Sequence, residues 1–160
     1  MIKTKVKDIF ASDTNVIIHQ ANCFNTFGGG IARRIAQLFP EAEAVDSATK
    51  RGDRKKLGNF TVAAINRPAY PNLKYIFNVY GQYDTSSQVR ATQYDALTVG
   101  LERVRDYLEA NNLTSLSVGV PYKIGSGLGG GDWRIVSAIL ESVFDGSPVK
   151  LTIYQHPDFK

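Results

Sequence analysis

The 160-residue sequence predicts an α/β sandwich built on a largely parallel sheet. Three observations lead to this fold class. Strand-like apolar stretches alternate with stretches of helical periodicity, two runs of three glycines lie between a strand-like and a helix-like stretch, and the composition is 43% hydrophobic against 21% charged. We expect a single domain over residues 1–160, because a domain usually has ~100–200 residues and this composition can close one core.

The N-terminal half is predicted to contain four strands and two helices. Strands are expected near residues 2–7 and at 15–20, and a helix is expected from the glycine run 28–30 to about Phe39, where apolar residues recur at helical spacing. Pro40 favours the start of a second short helix through Ala48 that ends in the basic run 50–56. Strands are then expected at 57–65 and 75–79.

The C-terminal half is predicted to contain two longer helices and two strands. Residues 91–109 place five large apolar side chains on one helical face, and the Asn pair that follows is a good stop signal. A strand at 116–120, a glycine-rich loop, a helix at 133–144 with Trp133 in the core, and a strand at 149–154 complete the order.

The charge and cysteine content narrow the setting. The net charge of +4 equals that of the run 50–56, which holds five basic residues and one acidic residue. Because the surplus is so local, we expect a solvated surface feature and no nucleic-acid partner. Cys23 is the only cysteine, which excludes an intrachain disulfide or a cysteine-based metal cluster and suits a reducing compartment such as the cytoplasm. Apolar runs such as 60–65 are far shorter than the ~18 residues of a membrane span.

Both glycine runs lie where a ligand would bind in such a sheet. Residues 19–32 and 125–133 each lead from a predicted strand into a helix, and ligands bind at the carboxyl ends of parallel strands. Glycines let backbone amides approach an anion, although they also simply make tight turns. Residues 125–130 match G-x-G-x-x-G, but they come too late in the chain for a Rossmann site, and no P-loop motif is present. Two phosphate-sized cradles favour a ligand with a diphosphate.

These motifs resemble the macrodomain family, whose members bind ADP-ribose. Three motifs of the family are matched in the same order along the chain, by Asp8-Ile9, by residues 18–32 and by residues 120–133. The resemblance implies a three-layer α/β/α fold with a mixed, mostly parallel sheet. Within the family, the motif His-Gln-Ala-Asn-Cys at 19–23 is most similar to the phage and yeast type of ADP-ribose-1''-phosphate phosphatase.

The resemblance also implies which residues bind the ligand. Asp8 would contact the adenine amino group, Asn22 with the first glycine run would hold the distal ribose, and residues 126–130 would wrap the diphosphate. From their place at the end of the last predicted strand, Tyr154 and the tail 156–158 are also expected to lie beside the adenine. The complete set of expected binding residues is Asp8, Ile9, Asn22, Gly28, Gly29, Gly30, Ile31, Gly125, Ser126, Gly127, Leu128, Gly129, Gly130 and Tyr154. The residues 81–92, with Tyr80, Tyr83 and Tyr94 around them, resemble the phage-type loop that closes over the ribose. Neither a cofactor nor a metal is expected.

Hydrolysis of a phosphate ester needs an oriented water and a group that handles its proton. The candidates are His19, expected at the mouth of the first glycine loop, Asp132, expected before a helix, and Asn22 as a supporting catalytic residue. Each titratable group could instead have a structural role. The His19 imidazole could be hydrogen-bonded within the loop, and Asp132 could be the N-cap of the following helix. Cys23 is a weaker candidate, since small buried cysteines are common.

The expected function is therefore hydrolysis of ADP-ribose-1''-phosphate to ADP-ribose and phosphate. A macrodomain branch that works through a lysine adduct has Asp after Gly-x-Gly-Leu and Lys after the middle strand, where this chain has Gly129 and Gln82. Two alternatives remain open: an ADP-ribose reader without catalysis, and a hydrolase that removes ADP-ribose from proteins or acyl groups from O-acyl-ADP-ribose. Expected partners are thus ADP-ribose or its 1''-phosphate, and ADP-ribosylated protein.

Overall fold

The computed structural model describes residues 2–85 and 90–159. Six strands and four helices follow one another in nearly the predicted order. The strands are β1 (Lys3–Val6), β2 (Val16–Ala21), β3 (Phe60–Ala64), β4 (Tyr75–Tyr80), β5 (Ser117–Pro121) and β6 (Lys150–Gln155). The helices are α1 (Gly30–Leu38), α2 (Pro40–Ser47), α3 (Tyr94–Ala110) and α4 (Trp133–Phe144), and two short 3₁₀ turns cover Ile9–Ala11 and Arg54–Lys56.

The strands form one sheet in the order β1-β6-β5-β2-β4-β3. All neighbouring pairs are parallel except β3 and β4, which run antiparallel. The predicted mixed, mostly parallel sheet is therefore confirmed. Because β2 and β5 are adjacent and parallel, the glycine loops that follow them emerge at the same edge of the sheet.

Helices cover both faces of the sheet, and a hydrophobic core lies under each layer. On one face Leu101 of α3 and Leu140 of α4 pack against Ile18 of β2. On the other face Ile35 of α1 packs with Ile17, the residue of β2 that precedes Ile18. Alternate residues of this buried strand thus serve opposite cores, as the period of a β-strand requires. This arrangement confirms the expected three-layer α/β/α fold.

The basic run does not end a helix, so the predicted placement of its cations is wrong. Helix α2 ends at Ser47, and residues 54–56 form a separate 3₁₀ turn capped by Asp53, whose side chain accepts from the backbone N–H of Lys55. Lys56 turns inward and is 8% exposed. In the described part of the chain, each helix is too short or too polar to cross a membrane.

Candidate functional site

A cavity of about 740 Å³ opens where β2 and β5 end. Its volume lies within the ~300–1,000 Å³ typical of small-molecule sites. Both glycine loops contribute to its walls. The lining residues are Gln20, Ala21, Asn22, Thr26, Gly28, Gly29, Gly30, Ile31, Ala32, Gln82, Thr85, Pro121, Tyr122, Lys123, Ile124, Gly125, Ser126, Gly127, Leu128, Gly129 and Phe159.

The first glycine loop is organised by Asn22. Its Nδ2 donates to both the backbone oxygen and the Oγ1 of Thr26, each at 2.9 Å, and its Oδ1 accepts from the backbone N–H of Phe24 at 2.8 Å. The loop leads into α1, whose N-cap is Gly29 and lacks a side-chain cap. The N–H groups of the first helical turn are therefore left for a ligand beside the cavity.

A buried lysine fastens the same loop to the basic segment. Lys56 Nζ donates to the backbone oxygen of Cys23 at 3.0 Å, to Asn25 Oδ1 at 2.6 Å and to the backbone oxygen of Lys50 at 3.1 Å. Asn25 has φ of 58°, a left-handed conformation that asparagine tolerates better than most residues. Three hydrogen bonds thus satisfy the ammonium and fix this bend.

The second glycine loop is so tight that side chains would not fit at two of its glycines. A Cβ on Gly131 would lie 2.7 Å from the backbone oxygen of Gly125, and one on Gly129 would overlap the hydroxyl of Thr92. The two loops also approach each other, because a Cβ on Gly29 would lie 2.7 Å from Leu128 Cδ1. Packing thus requires glycine at positions 129 and 131, whereas at Gly29 the end of the exposed Leu128 side chain can move aside.

Most of the expected binding residues come together around the cavity, but four do not. Asp8, Ile9, Gly130 and Tyr154 lie outside its described lining. Asp8 instead caps the first 3₁₀ turn, accepting from the backbone N–H of Phe10, and its carboxylate lies 3.1 Å from Arg34. Tyr154 is 6% exposed and packs in the core on the α1 side.

His19 does not lie at the mouth of the loop, so its predicted placement is wrong. Its side chain is fully buried on the α1 side, with Nε2 2.6 Å from Asn78 Oδ1 and the ring edge-on to Phe27. Burial lowers the pKa of His19 to about 4, although the hydrogen bond with Asn78 opposes that shift. A neutral imidazole without solvent contact packs the core and does not reach the cavity.

Asp132 forms the helix N-cap that was the structural alternative to a catalytic role. Its carboxylate caps α4 by accepting from the backbone N–H of Arg134 at 2.9 Å, and it pairs with the Arg134 guanidinium at 2.8 Å. The hydrogen bonds from Arg134 hold the pKa of Asp132 below its usual value. The group is therefore ionised near neutral pH, stays accessible at the end of the second loop, and lies outside the cavity lining.

The tyrosines expected around the loop 81–92 lie in different environments. Tyr80 ends β4 directly before this loop, but its side chain is 1% exposed and its hydroxyl donates to the buried Asp46 carboxylate at 2.6 Å. Burial raises the pKa of both groups. Tyr83 contacts Phe24 of the first loop edge-on. The expected ribose loop spans 81–92, and its residues 86–89 lie outside the described residues.

The sequence reasoning missed several lining residues. Tyr122 and Lys123 directly follow β5, and Phe159 of the C-terminal segment stacks edge-on against Tyr122 at 5.2 Å. The position of Tyr122 and Lys123 at the carboxyl end of a parallel strand could have identified them as lining residues. The sequence around Phe159 contains no such signal. Lys123 is the one Lys, Arg, Asp, Glu or His among the described lining residues. No three His, Cys, Asp or Glu side chains within 2–85 and 90–159 could hold a metal ion.

Comparison with known proteins relates the chain to enzymes of ADP-ribose metabolism. No family model matches. The chain is 36% identical over 148 residues to human ADP-ribose glycohydrolase OARD1, spanning 92% of this chain and 86% of that protein. It is 32% identical over 142 residues to an uncharacterised 17.5 kDa protein from the tk-vs intergenic region of Enterobacteria phage T4, spanning 88% and 86%. The identity to the ADP-ribose 1''-phosphate phosphatase of Saccharomyces cerevisiae is 26% over 170 residues, spanning 90% and 91%.

Solved structures share the fold across the described chain. The macrodomain of Mycobacterium tuberculosis DarG superposes with a TM-score of 0.77 at 24% identity, covering 96% of this chain and 97% of that one. Thermosipho africanus DarTG in complex with ADP-ribose gives a TM-score of 0.76 at 16% identity, covering 96% of this chain and 41% of that one. These structures share the three-layer α/β/α fold of the chain, which carries a cavity between its two glycine loops. The chain belongs to the macrodomain family.

Proposed function

We propose that this macrodomain binds ADP-ribose derivatives and hydrolyses ADP-ribose-1''-phosphate to ADP-ribose and phosphate. The observation that carries the binding is the cavity enclosed by two glycine loops. The names of its relatives support the choice of ligand: one is an ADP-ribose glycohydrolase and one an ADP-ribose 1''-phosphate phosphatase.

The lining favours an anionic ligand. Lys123 brings a positive charge, α1 presents an uncapped N-terminus, and the described lining holds no carboxylate. Ser126 adds a buried hydroxyl that has no partner within the described chain. Since a buried hydroxyl without a partner is costly, a phosphate oxygen at this place would satisfy it. We place the diphosphate at the second loop and the distal ribose at Asn22.

The reaction is a transfer of the phosphoryl group to water. An O–P bond forms to water, the bond from phosphorus to the C1'' oxygen breaks, and that oxygen takes up a proton from solvent. Positioning and electrostatic stabilisation supply most of the catalysis in such reactions. Asp132, ionised and accessible, is the remaining candidate to accept the proton of the water, and Asn22 positions the ribose. His19 is assigned no proton transfer, because it is buried and neutral.

A second candidate is removal of ADP-ribose from proteins. The 36% identity to a glycohydrolase favours it. The cavity opposes a lysine adduct, since the matched motif positions hold Gln82 and Gly129, both of which line the cavity. We therefore rank the phosphatase first.

A substrate panel tests this proposal. We measure three reactions with the wild type and with Asp132→Asn. They are release of phosphate from ADP-ribose-1''-phosphate, release of ADP-ribose from modified protein, and release of acetate from O-acetyl-ADP-ribose. The Asn variant keeps an N-cap side chain. We expect phosphate release by the wild type and a loss of ~10²-fold or more in Asp132→Asn. Binding without any turnover would identify a reader, and turnover of modified protein alone would identify a glycohydrolase.

A further inference from the structure

Three polar side chains form a chain of hydrogen bonds in the wall between the two glycine loops. Gln20 Nε2 donates to Gln82 Oε1 and to Thr92 Oγ1, both at 2.8 Å. Thr92 Oγ1 donates in turn to the backbone oxygen of Gly125 at 2.6 Å. Gln20 and Gln82 line the cavity, whereas Thr92 is fully buried.

Proton counting fixes the orientation of each amide. Thr92 has one hydroxyl proton and gives it to Gly125, so it can only accept from Gln20. Gln20 must therefore present its NH₂ group, and both of its N–H bonds are used. Gln82 donates from Nε2 to the backbone oxygen of Asp84 at 2.7 Å, which turns its Oε1 toward Gln20.

This orientation leaves Gln82 one N–H to offer to a ligand. Its oxygen is occupied by Gln20 and one N–H by Asp84, while the second N–H has no partner within residues 2–85 and 90–159. A residue that lines the cavity and offers one neutral donor fits an oxygen of an anionic group.

The same wall has no room for a side chain at Gly129. A Cβ there would overlap the Thr92 hydroxyl and lie 2.9 Å from Gln20 Nε2. The hydrogen-bonded side chains of Gln20 and Thr92 thus occupy the space that any larger residue at position 129 would need. This arrangement leaves Gln20 Oε1 buried without a hydrogen-bond partner in the described chain.

We propose that Gln20 is a positioning residue that locks the Gln82 carboxamide, and that Gln82 donates its remaining N–H to the phosphate on the distal ribose. Gln82 then determines specificity for the phosphorylated ligand. This inference rests on the proposed function, since it takes the ligand and its orientation from there.

The test compares ligands with and without the distal phosphate. For the wild type, Gln82→Leu and Gln20→Met, kcat/KM is measured for phosphate release and Kd for ADP-ribose and ADP. We expect kcat/KM to fall about 10- to 100-fold, as for loss of a hydrogen bond to a charged group. We expect Kd for ADP to stay within about twofold in Gln82→Leu, because the diphosphate of ADP lies at the second loop. If the wild type releases no phosphate, Kd for ADP-ribose-1''-phosphate replaces kcat/KM.

Thr92 supplies a matched pair that separates positioning from general structure. Thr92→Ser keeps the hydroxyl and should retain the wild-type preference for the phosphorylated ligand, measured as kcat/KM or affinity relative to the affinity for ADP. Thr92→Val removes the hydrogen bond that holds Gln20 and should lower that preference. An equal loss for all ligands, or an unchanged preference in Gln82→Leu, would overturn the inference while ADP-ribose binding stands. A wild type that binds neither ADP-ribose nor ADP would instead overturn the proposed function, and the inference with it.

Discussion

The buried ammonium of Lys56 links the basic segment to the ligand cavity. Its three hydrogen bonds end on Cys23, Asn25 and Lys50, and so tie the loop that carries Asn22 to the segment after α2. The sequence showed only five cations in a run of seven residues. Four of them are exposed, and the fifth supports the architecture of the loop.

Replacing Lys56 with Met should destabilise the protein and weaken ligand binding. The variant leaves backbone oxygens of the loop without a donor, which typically costs about 1–3 kcal/mol of unfolding free energy. Lys55→Met is the matched control, because its ammonium is exposed and a change there should stay within about 0.5 kcal/mol. Urea unfolding and ADP-ribose titration of both variants make the comparison. Equal stabilities for the two variants would contradict this role of Lys56.

His19 should make stability depend on pH. Its pKa falls from 6.5 in the unfolded chain to about 4 in the fold, because burial disfavours the charged ring. The unfolded state therefore binds more protons in this window, so stability is lost as pH falls from about 6.5 to about 4. The upper bound is about 3 kcal/mol.

The test is the unfolding free energy of the wild type and of His19→Gln across that window. Glutamine keeps a donor for Asn78 but does not titrate, so its curve should be flatter. Asp46 acts in the opposite direction, because burial raises its pKa and its contribution is lost as pH rises. Since Asp46 is present in both proteins, the difference between the curves isolates His19. Parallel curves would show that His19 is not the group responsible.

At the level of elements, the second glycine loop offers an internal control for its own packing. A Cβ on Gly129 meets Thr92, Gln20 and the backbone of Gly125, whereas a Cβ on Gly127 has nothing within 4 Å. We expect Gly129→Ala to lower the unfolding free energy by about 1–3 kcal/mol, as overpacking does, and to weaken ADP-ribose binding. Gly127→Ala should fold with wild-type stability. Thermal melts decide this, and equal melting temperatures would contradict the described loop.

The strands and helices were predictable because their signals are local. The helix expected at 91–109 begins at Tyr94 and ends at Ala110, since its apolar stripe defines one buried face. The strand expected at 57–65 begins only at Phe60, because a 3₁₀ turn capped by Asp53 takes up the residues before it. That turn depends on the inward Lys56, a contact between segments that no local pattern reveals.

The site was predictable where it is built from backbone and not where it depends on side-chain direction. Glycine runs after two strands identified both loops. His19 and Gln20 are neighbours on β2 and point to opposite faces of the sheet, and the structure places Gln20 at the cavity while His19 is buried on the α1 side. Strand alternation supplied a signal for this choice, but a strand buried on both faces does not show which side holds the ligand.

For the whole molecule, the surplus charge should act on the approach of the ligand. Arg51 and Arg54 are exposed, and their guanidinium groups lie over the rings of Phe24 and Tyr83 next to the first glycine loop. Arg54→Gln with Lys55→Gln should slow association with ADP-ribose at low ionic strength and leave dissociation unchanged. Stopped-flow titration at low and high salt measures this. An effect on dissociation alone would place these residues in contact with the ligand.

The cavity between the glycine loops is expected to bind ADP-ribose. Calorimetric titration of the wild type with ADP-ribose tests it most directly, with Gly129→Ala as the variant of the cavity wall. We predict one site per chain with micromolar affinity, and a clear loss of affinity in Gly129→Ala. Absence of binding by the folded wild type at millimolar ADP-ribose would show that this cavity is not an ADP-ribose site.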